Sequence, residues 1–127
     1  MVVVFPNLDE RFTPGRFKSA GEYFETALSV IKNLTHDDFL VVNFDKLSGN
    51  SVLRNADTQT FWYSRKSFVN MGVINEIQGT HFHEKRIHSN IHYYSEFKVN
   101  QMRIVGVQSR ENLLAAITAC KALKVSD

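Results

Sequence analysis

The sequence predicts an α+β fold, in which an antiparallel sheet carries helices packed on one face, within a single domain of residues 1–127. Short β-branched and aromatic runs separated by turn-rich segments predict the strands. Two amphipathic patterns predict helices, in the order strand, helix, several strands, helix. The composition agrees, because 43% of the residues are hydrophobic and ten are Phe, which is ample material for a core.

The first third of the chain predicts two strands and one helix. Residues 1–5 form a β-branched run that a proline halts, which is typical of a strand. Ser19 and Glu22 form a capping-box pattern, and apolar residues follow at helical spacing, so a helix is expected at residues 19–34. Residues 39–45, FLVVNFD, predict the second strand.

The remaining two thirds predict further strands and a closing helix. The run TQTFWYSR, residues 58–65, follows a turn-rich segment and predicts a hairpin with a long loop. Strands are also expected at residues 80–87, 90–99 and 101–108, with the last two joined by a turn near Asn100. Ser109 then caps a helix that ends near residue 123. Its expected buried side consists of Leu113, Leu114, Ile117, Cys120 and Leu123.

Charge and composition exclude several classes of protein. A net charge of +2 falls far short of the basic stripe that would by itself indicate nucleic-acid binding, so charge alone neither predicts nor excludes that function. No apolar run approaches the roughly 18 residues of a membrane span, and the first residues do not resemble a secretion signal, so a soluble intracellular protein is expected. The six glycines are scattered and form no phosphate loop. Arg65 and Lys66 could touch a phosphate, but such a pair of charges is most simply explained by a solvated loop.

The predicted strand at residues 101–108 has two different faces. Because side chains alternate along a strand, residues 102, 104 and 106 share the face that suits the closing helix. The opposite face must then meet solvent or a ligand. It carries Gln101, Arg103 and Val105.

The segment FKVNQMRIVGVQSRENLLAAITACKAL, residues 97–123, resembles the end of each repeat of the TATA-box-binding protein family. In that family a Phe precedes a tight turn, a strand closes on a Thr-Gly or similar pair, and a polar-Ser step leads into a long packing helix. The matching features here are Phe97, the turn at Asn100, the strand at 102–106, the pair Gln108 and Ser109, and the helix that follows.

This resemblance implies a DNA-binding surface. Members of the family bind duplex DNA through a concave sheet face and wedge Phe between base steps from the minor groove. The resemblance therefore implies that Phe97 is a wedge and that Gln101, Arg103 and Val105 line the groove, with the last helix as support behind the sheet.

We accordingly expect a non-enzymatic nucleic-acid-binding module with a role in transcription, acting without a cofactor. Tyr93 and Phe82 are further aromatic side chains that could stack on bases. The family uses two tandem repeats to form a saddle-shaped sheet, whereas this chain has length for only one. A single repeat would need a homodimer or a partner chain, or it would have a different role.

Two other functions stay open. The exposed sheet face or a sheet edge would also suit a protein-interaction or inhibitor module. In HFHEKRIHSNIH, residues 81–92, His81 and His83 share one strand face and could hold a divalent metal in a metal-dependent nuclease. The candidates for further metal ligands are Glu84, His88 and His92.

Overall fold

The computed structural model describes residues 2–5, 25–26, 29–49, 51–54, 56, 58–99 and 107–124. The predicted strand at 101–108 lies outside these residues apart from 107–108. The strands are β1 (Val2–Phe5), β2 (Phe39–Asn43), β3 (Gln59–Ser64), β4 (Gly79–His83), β5 (Arg86–Ser89) and β6 (Ser95–Lys98). The helices are α1 (Phe44–Leu47), α2 (Ser51–Arg54) and α3 (Val107–Ala122). Residues 25–26 and 29–32 are also helical, within the helix predicted at 19–34.

The six strands form one mixed sheet in the order β1-β2-β3-β4-β5-β6. Neighbouring strands from β1 to β4 pair in parallel, whereas β4, β5 and β6 pair antiparallel. The fold is therefore of the α/β type, and the prediction of an antiparallel sheet is wrong. Parallel neighbours must be joined by long crossover connections. Residues 44–58 connect β2 to β3, where the sequence predicted a hairpin with a long loop. Residues 65–78 connect β3 to β4, in a segment whose structure the sequence left ambiguous.

Both faces of the parallel part of the sheet are covered. Val41 of β2 and Tyr63 of β3 face α3, where Leu114 packs against the same cluster. On the other face, Val42 and Trp62 pack in a second cluster with these residues from the connections: Ile31, Leu34, Leu47, Leu53 and Phe68. The prediction of helices on one face alone is wrong, because parallel strands are stable only when apolar groups cover both sides.

Helix α3 packs along the sheet, as the sequence predicted, but with a different side buried. Leu114, Thr118 and Ala122 are buried at four-residue spacing, and the Thr118 hydroxyl donates to the Leu114 carbonyl at 2.6 Å. Cys120 and Leu123 are exposed, contrary to the prediction. The helix is thus rotated about its axis relative to the stripe that the apolar residues alone indicate.

A buried lysine fixes the end of α3 against the antiparallel strands. Lys121 is only 3% exposed, and its Nζ donates to Ser95 Oγ of β6 at 2.7 Å. The same ammonium group lies 3.3 Å from the centroid of the Tyr93 ring, in a cation–π contact. Lys121 therefore acts as a structural tether although its residue type suggests a solvated surface.

A tight turn divides the strand predicted at residues 80–87. Glu84 and Lys85 join β4 to β5 with φ angles of 49° and 65°, which is the two-residue hairpin turn whose twist matches the flanking strands. The strand predicted at 90–99 is also shorter, since β6 begins only at Ser95. Among the described residues, no helix is long and apolar enough to cross a membrane.

Gly79 is predicted to be essential for stability at the start of β4. A Cβ atom there would lie 2.0 Å from the Trp62 carbonyl oxygen, far inside van der Waals contact. Gly79→Ala should lower the free energy of unfolding by roughly 2 kcal/mol or more in urea denaturation. Gly49→Ala is the matched control, because nothing lies within 4 Å of the added methyl group. Equal stability of the two variants would contradict this packing argument.

Candidate functional site

Polar residues gather where the parallel strands end. The carboxyl ends of β2, β3 and β4 meet at one edge of the sheet because these strands are parallel. In open α/β sheets, ligands bind at this edge. We call the residues there the carboxyl-edge cluster: Asn43, Asp45, Lys46, Ser64, Arg65 and Glu111.

Asp45 joins the ends of β2 and β3. Its Oδ1 accepts a hydrogen bond from the Ser64 hydroxyl at 2.5 Å, and its Oδ2 accepts from the Arg65 backbone N–H at 2.9 Å. Asn43 caps α1 just before it, since the Asn43 Oδ1 accepts from the Asp45 N–H at 3.0 Å. The two strand ends are thereby held in a fixed arrangement.

Glu111 brings a carboxylate to this edge from the first half of α3. Its side chain is only 5% exposed, and its two oxygens pair with different cations: Lys46 Nζ at 3.5 Å and Arg65 Nε at 3.3 Å. A buried carboxylate without cationic partners would cost several kcal/mol. Glu111 therefore holds two positive side chains side by side at the ends of β2 and β3.

A row of buried polar groups crosses the strands beside Glu111. Asn43, Tyr63 and Thr80 are partners in the strand register, and each is at most 1% exposed. Asn43 Nδ2, Tyr63 Oη and Thr80 Oγ1 have no hydrogen-bond partner within the described part of the chain. Burial raises the pKa of Tyr63, and the Glu111 charge raises it further. The nearby Asn43 amide lowers the pKa of Tyr63 by a smaller amount, although the amide and the hydroxyl do not form a hydrogen bond.

The histidines of β4 and β5 lie on the sheet face opposite α3. His81 stacks on Phe68 with ring centroids 4.5 Å apart, and His88 stacks on His81 at 5.6 Å. His88 Nδ1 contacts the Tyr94 hydroxyl, and its Nε2 meets the His83 carbonyl oxygen at 3.1 Å. The result is a compact array of aromatic rings rather than an open row of ligands.

The prediction that His81 and His83 bind a metal stays a prediction, and the geometry gives it little support. His81 Nδ1 accepts the Phe68 backbone N–H at 3.1 Å, so the proton of the neutral ring lies on Nε2. The two rings are 6.4 Å apart, and His92 lies elsewhere, against Phe61. Among the described side chains, no group of three His, Cys, Asp or Glu residues is arranged to hold a metal.

The residues predicted to bind nucleic acid do not form one surface. Phe82 and Phe97 pack against the cluster that includes Leu114, on the sheet face that carries α3. Tyr93 is half exposed but lies in the contact with Lys121. Gln101, Arg103 and Val105 lie outside the described residues. Phe97, the predicted wedge, is partly buried against the cluster that includes Leu114 of α3.

Comparison with known proteins identifies the family. A family model of the Mur ligase middle domain matches residues 2–120, which is nearly the whole chain. The chain belongs to the Mur ligase middle-domain family. The covered parallel sheet and the polar carboxyl edge therefore belong to a Mur ligase middle domain.

Several Mur ligases resemble this middle domain in sequence. The UDP-N-acetylmuramoylalanine--D-glutamate ligase of Pediococcus pentosaceus is 30% identical over 110 residues, covering 86% of this chain and 22% of the relative. The ligase of the same name from Alkaliphilus metalliredigens is 27% identical over 113 residues, covering 87% of this chain and 23% of the relative. The chain thus spans less than a quarter of the length of these relatives.

The family overturns the functional predictions made from the sequence. The resemblance to the TATA-box-binding protein family is wrong, because the segment at residues 97–123 belongs largely to the Mur ligase match. The relatives are named as ligases, so a non-enzymatic module for DNA binding and transcription is also wrong, as is nucleic acid as the partner. The alternatives of an interaction or inhibitor module and of a nuclease fail for the same reason.

Sequence analysis missed most of the carboxyl-edge cluster. Asp45 was interpreted as the end of a strand and Arg65 as part of a solvated loop, while Glu111 was one polar residue on a helix. The signal that could have found them is that polar residues directly follow the uninterrupted apolar runs FLVV and FWY. Such runs are typical of strands buried on both faces, whose ends carry ligand-binding residues.

The buried ion pairs of Glu111 are predicted to matter more for stability than a surface pair. Glu111→Gln should lower the free energy of unfolding by roughly 1–3 kcal/mol in urea denaturation, because Lys46 and Arg65 lose their shared carboxylate. Glu96→Gln is the control, since Glu96 pairs with Arg86 at the surface and its loss should cost less than the loss of Glu111. A larger loss for Glu96→Gln would show that Glu111 does not organise the edge.

The histidine array is predicted to weaken the fold in acid. Burial lowers the pKa of His81 from 6.5 to about 4, with smaller contributions from His88 and His83. Below pH 6.5 His81 binds a proton in the unfolded chain, whereas in the folded protein it does so only near pH 4. Stability is therefore complete above pH 6.5 and falls between these values, by on the order of 2–3 kcal/mol.

The comparison of two variants tests this pH dependence. His81→Asn retains an acceptor for the Phe68 N–H but no titrating ring, so its unfolding free energy should fall less between pH 7 and pH 4 than that of the wild type. His36→Asn removes an exposed histidine and should leave the wild-type slope unchanged. A slope in His81→Asn as steep as that of the wild type would rule out His81 as the source.

Proposed function

We propose that this chain works within a ligase that joins UDP-N-acetylmuramoylalanine to D-glutamate. The proposal is supported by the family match over residues 2–120 and by relatives that carry this name. The reaction forms an amide between the carboxylate of the alanyl group and the amine of D-glutamate, with formal loss of water. Because a carboxylate oxygen is a poor leaving group, a co-substrate such as a phosphoanhydride must first activate it.

The observation that carries a binding role for this chain is the pairing of Lys46 and Arg65 by Glu111. Both cations are about 39% exposed on their side chains, so they remain accessible while the buried carboxylate fixes their position. The proposed substrates carry a diphosphate and carboxylate groups, which need positive partners. Cations that are already in place stabilise such charges without further ordering of side chains.

The chain's contribution is binding and electrostatic stabilisation rather than covalent chemistry. Its 127 residues contain no glycine-rich phosphate loop, and its one Cys lies on an exposed position of α3. The described carboxyl edge offers charged and polar groups that orient a substrate and stabilise its negative charge. Activation of the carboxylate would therefore depend on groups that act together with this edge.

Substitution of Lys46 tests the proposal. The protein would be incubated with UDP-N-acetylmuramoylalanine, D-glutamate and a nucleoside triphosphate, and the amide product followed by mass spectrometry. Lys46→Gln should reduce kcat/KM by about tenfold or more, which corresponds to roughly 1.4 kcal/mol, because one fixed positive charge is lost. Thermal unfolding of the variant separates this effect from a loss of folded protein.

Lys32→Gln is the matched control, because Lys32 is exposed on the helical segment at residues 29–32, away from the carboxyl edge. It removes the same charge and should keep the wild-type kcat/KM. Equal kcat/KM in the two variants would contradict the proposed role of the edge.

A further inference from the structure

An exposed tyrosine contacts the histidine array on the sheet face opposite α3. Tyr94 belongs to the connection between β5 and β6, and 63% of its surface is exposed. Its hydroxyl contacts Nδ1 of His88, a half-buried residue of β5. A phenol beside an imidazole is a nucleophile beside a base, so this pair can carry covalent chemistry.

A backbone carbonyl fixes the position of the proton on the His88 ring. His88 Nε2 lies 3.1 Å from the His83 carbonyl oxygen, which can only accept a hydrogen bond. The neutral ring therefore carries its proton on Nε2, and Nδ1 has the lone pair that accepts the Tyr94 hydroxyl. The His81 ring stacks on His88 with centroids 5.6 Å apart and restricts its rotation. The nucleophile, the base and a third group that orients the base are thus all in place.

Glu96 is the other acceptor near the Tyr94 hydroxyl, but Arg86 already engages it. Glu96 Oε2 is 3.5 Å from the hydroxyl oxygen, which is longer than an ordinary O–H···O hydrogen bond. Its Oε1 pairs with Arg86 Nη1 at 2.5 Å. Burial raises the pKa of Tyr94 and the Glu96 charge raises it further, so the phenol keeps its proton unless a base takes it. His88 is the group placed to do so.

The connection that carries Tyr94 is anchored to the sheet. Asn90 Oδ1 accepts the Gly79 backbone N–H at 2.7 Å, and Ile91 is fully buried. His92 adopts a φ of 61°, in the left-handed region that turns follow when a chain reverses direction. Tyr94 therefore extends from a fixed backbone although its side chain is exposed.

We infer that Tyr94 is a nucleophilic site that accepts an acyl group from an activated ester, with His88 as its general base. The Tyr94 oxygen attacks the carbonyl carbon of the ester and forms a new C–O bond, while the phenolic proton moves to His88 Nδ1. The bond to the leaving group breaks, and that group departs as an anion with the electron pair. The products are an ester of Tyr94 and a protonated His88.

This inference goes beyond the proposed ligation. The register pairs Thr80↔Ser89 and Ser89↔Ser95 place the connection that carries Tyr94 beside the beginning of β4. The carboxyl-edge cluster lies instead where β2 and β3 end. Acyl transfer to Tyr94 therefore requires neither the paired cations of that cluster nor the formation of an amide.

The neighbouring Tyr93 provides an internal comparison. It is 51% exposed, but its ring contacts Lys121 Nζ, and its hydroxyl has no histidine partner among the described residues. The full chain would be treated with p-nitrophenyl acetate, and acetylation of each tyrosine followed by peptide mass spectrometry. Tyr94 should be acetylated faster than Tyr93 by about tenfold or more, because general-base catalysis typically contributes at least that much. Equal rates at the two tyrosines would overturn the inference.

Two variants identify the base. His88→Asn keeps an acceptor near the position of Nδ1 but cannot take up the proton, so it should slow the acetylation of Tyr94 by about tenfold or more and leave that of Tyr93 unchanged. Glu96→Gln removes the other acceptor and should keep the fast reaction of Tyr94. An unchanged Tyr94 rate in His88→Asn, or loss of the fast reaction in Glu96→Gln, would overturn the role of His88. Thermal unfolding identifies a variant that does not fold, and the comparison of the two tyrosines in the wild type then decides the question.

Discussion

Parallel pairing of β2, β3 and β4 brings their carboxyl ends to one edge, and Glu111 connects α3 to that edge through Lys46 and Arg65. The two features depend on each other. The strand register sets the spacing of the cations, and the buried carboxylate requires both of them to offset its desolvation. The position of the candidate site therefore follows from the sheet topology rather than from any single loop.

Much of the local structure can be predicted from the sequence, but the topology cannot. The strands β1, β2 and β3 and helix α3 coincide with apolar runs and an amphipathic pattern that identify them within a few residues. Helices α1 and α2 have four residues each, too few to show helical periodicity, so their segment resembled a hairpin loop. Without these helices the crossover connections could not be recognised, and the parallel part of the mixed sheet was interpreted as antiparallel.

The candidate site was harder to predict because its residues are far apart in sequence. The resemblance in sequence concerned the contiguous segment around Phe97, whose side chain is instead partly buried against the cluster that includes Leu114 of α3. Asp45, Arg65 and Glu111 come together only after three separate elements have docked. The sequence does show polar residues after each buried strand, but the pairing that unites them is a property of the tertiary structure.

The two ends of the sheet differ in a way that supports this location. At the amino ends of the strands, Phe39 and Phe61 pack with Ala122 at the end of α3, in an apolar cluster. Where β2 and β3 end, the equivalent space near α3 contains Tyr63 and its register partner Thr80 of β4, whose hydroxyls lack partners among the described residues. An unpaired buried polar group costs about 1–3 kcal/mol, so packing alone would favour apolar residues at both ends. The buried polar groups at the other end, such as Lys121, have partners, whereas these hydroxyls have none among the described residues, which supports the proposal that this edge serves binding at the expense of stability.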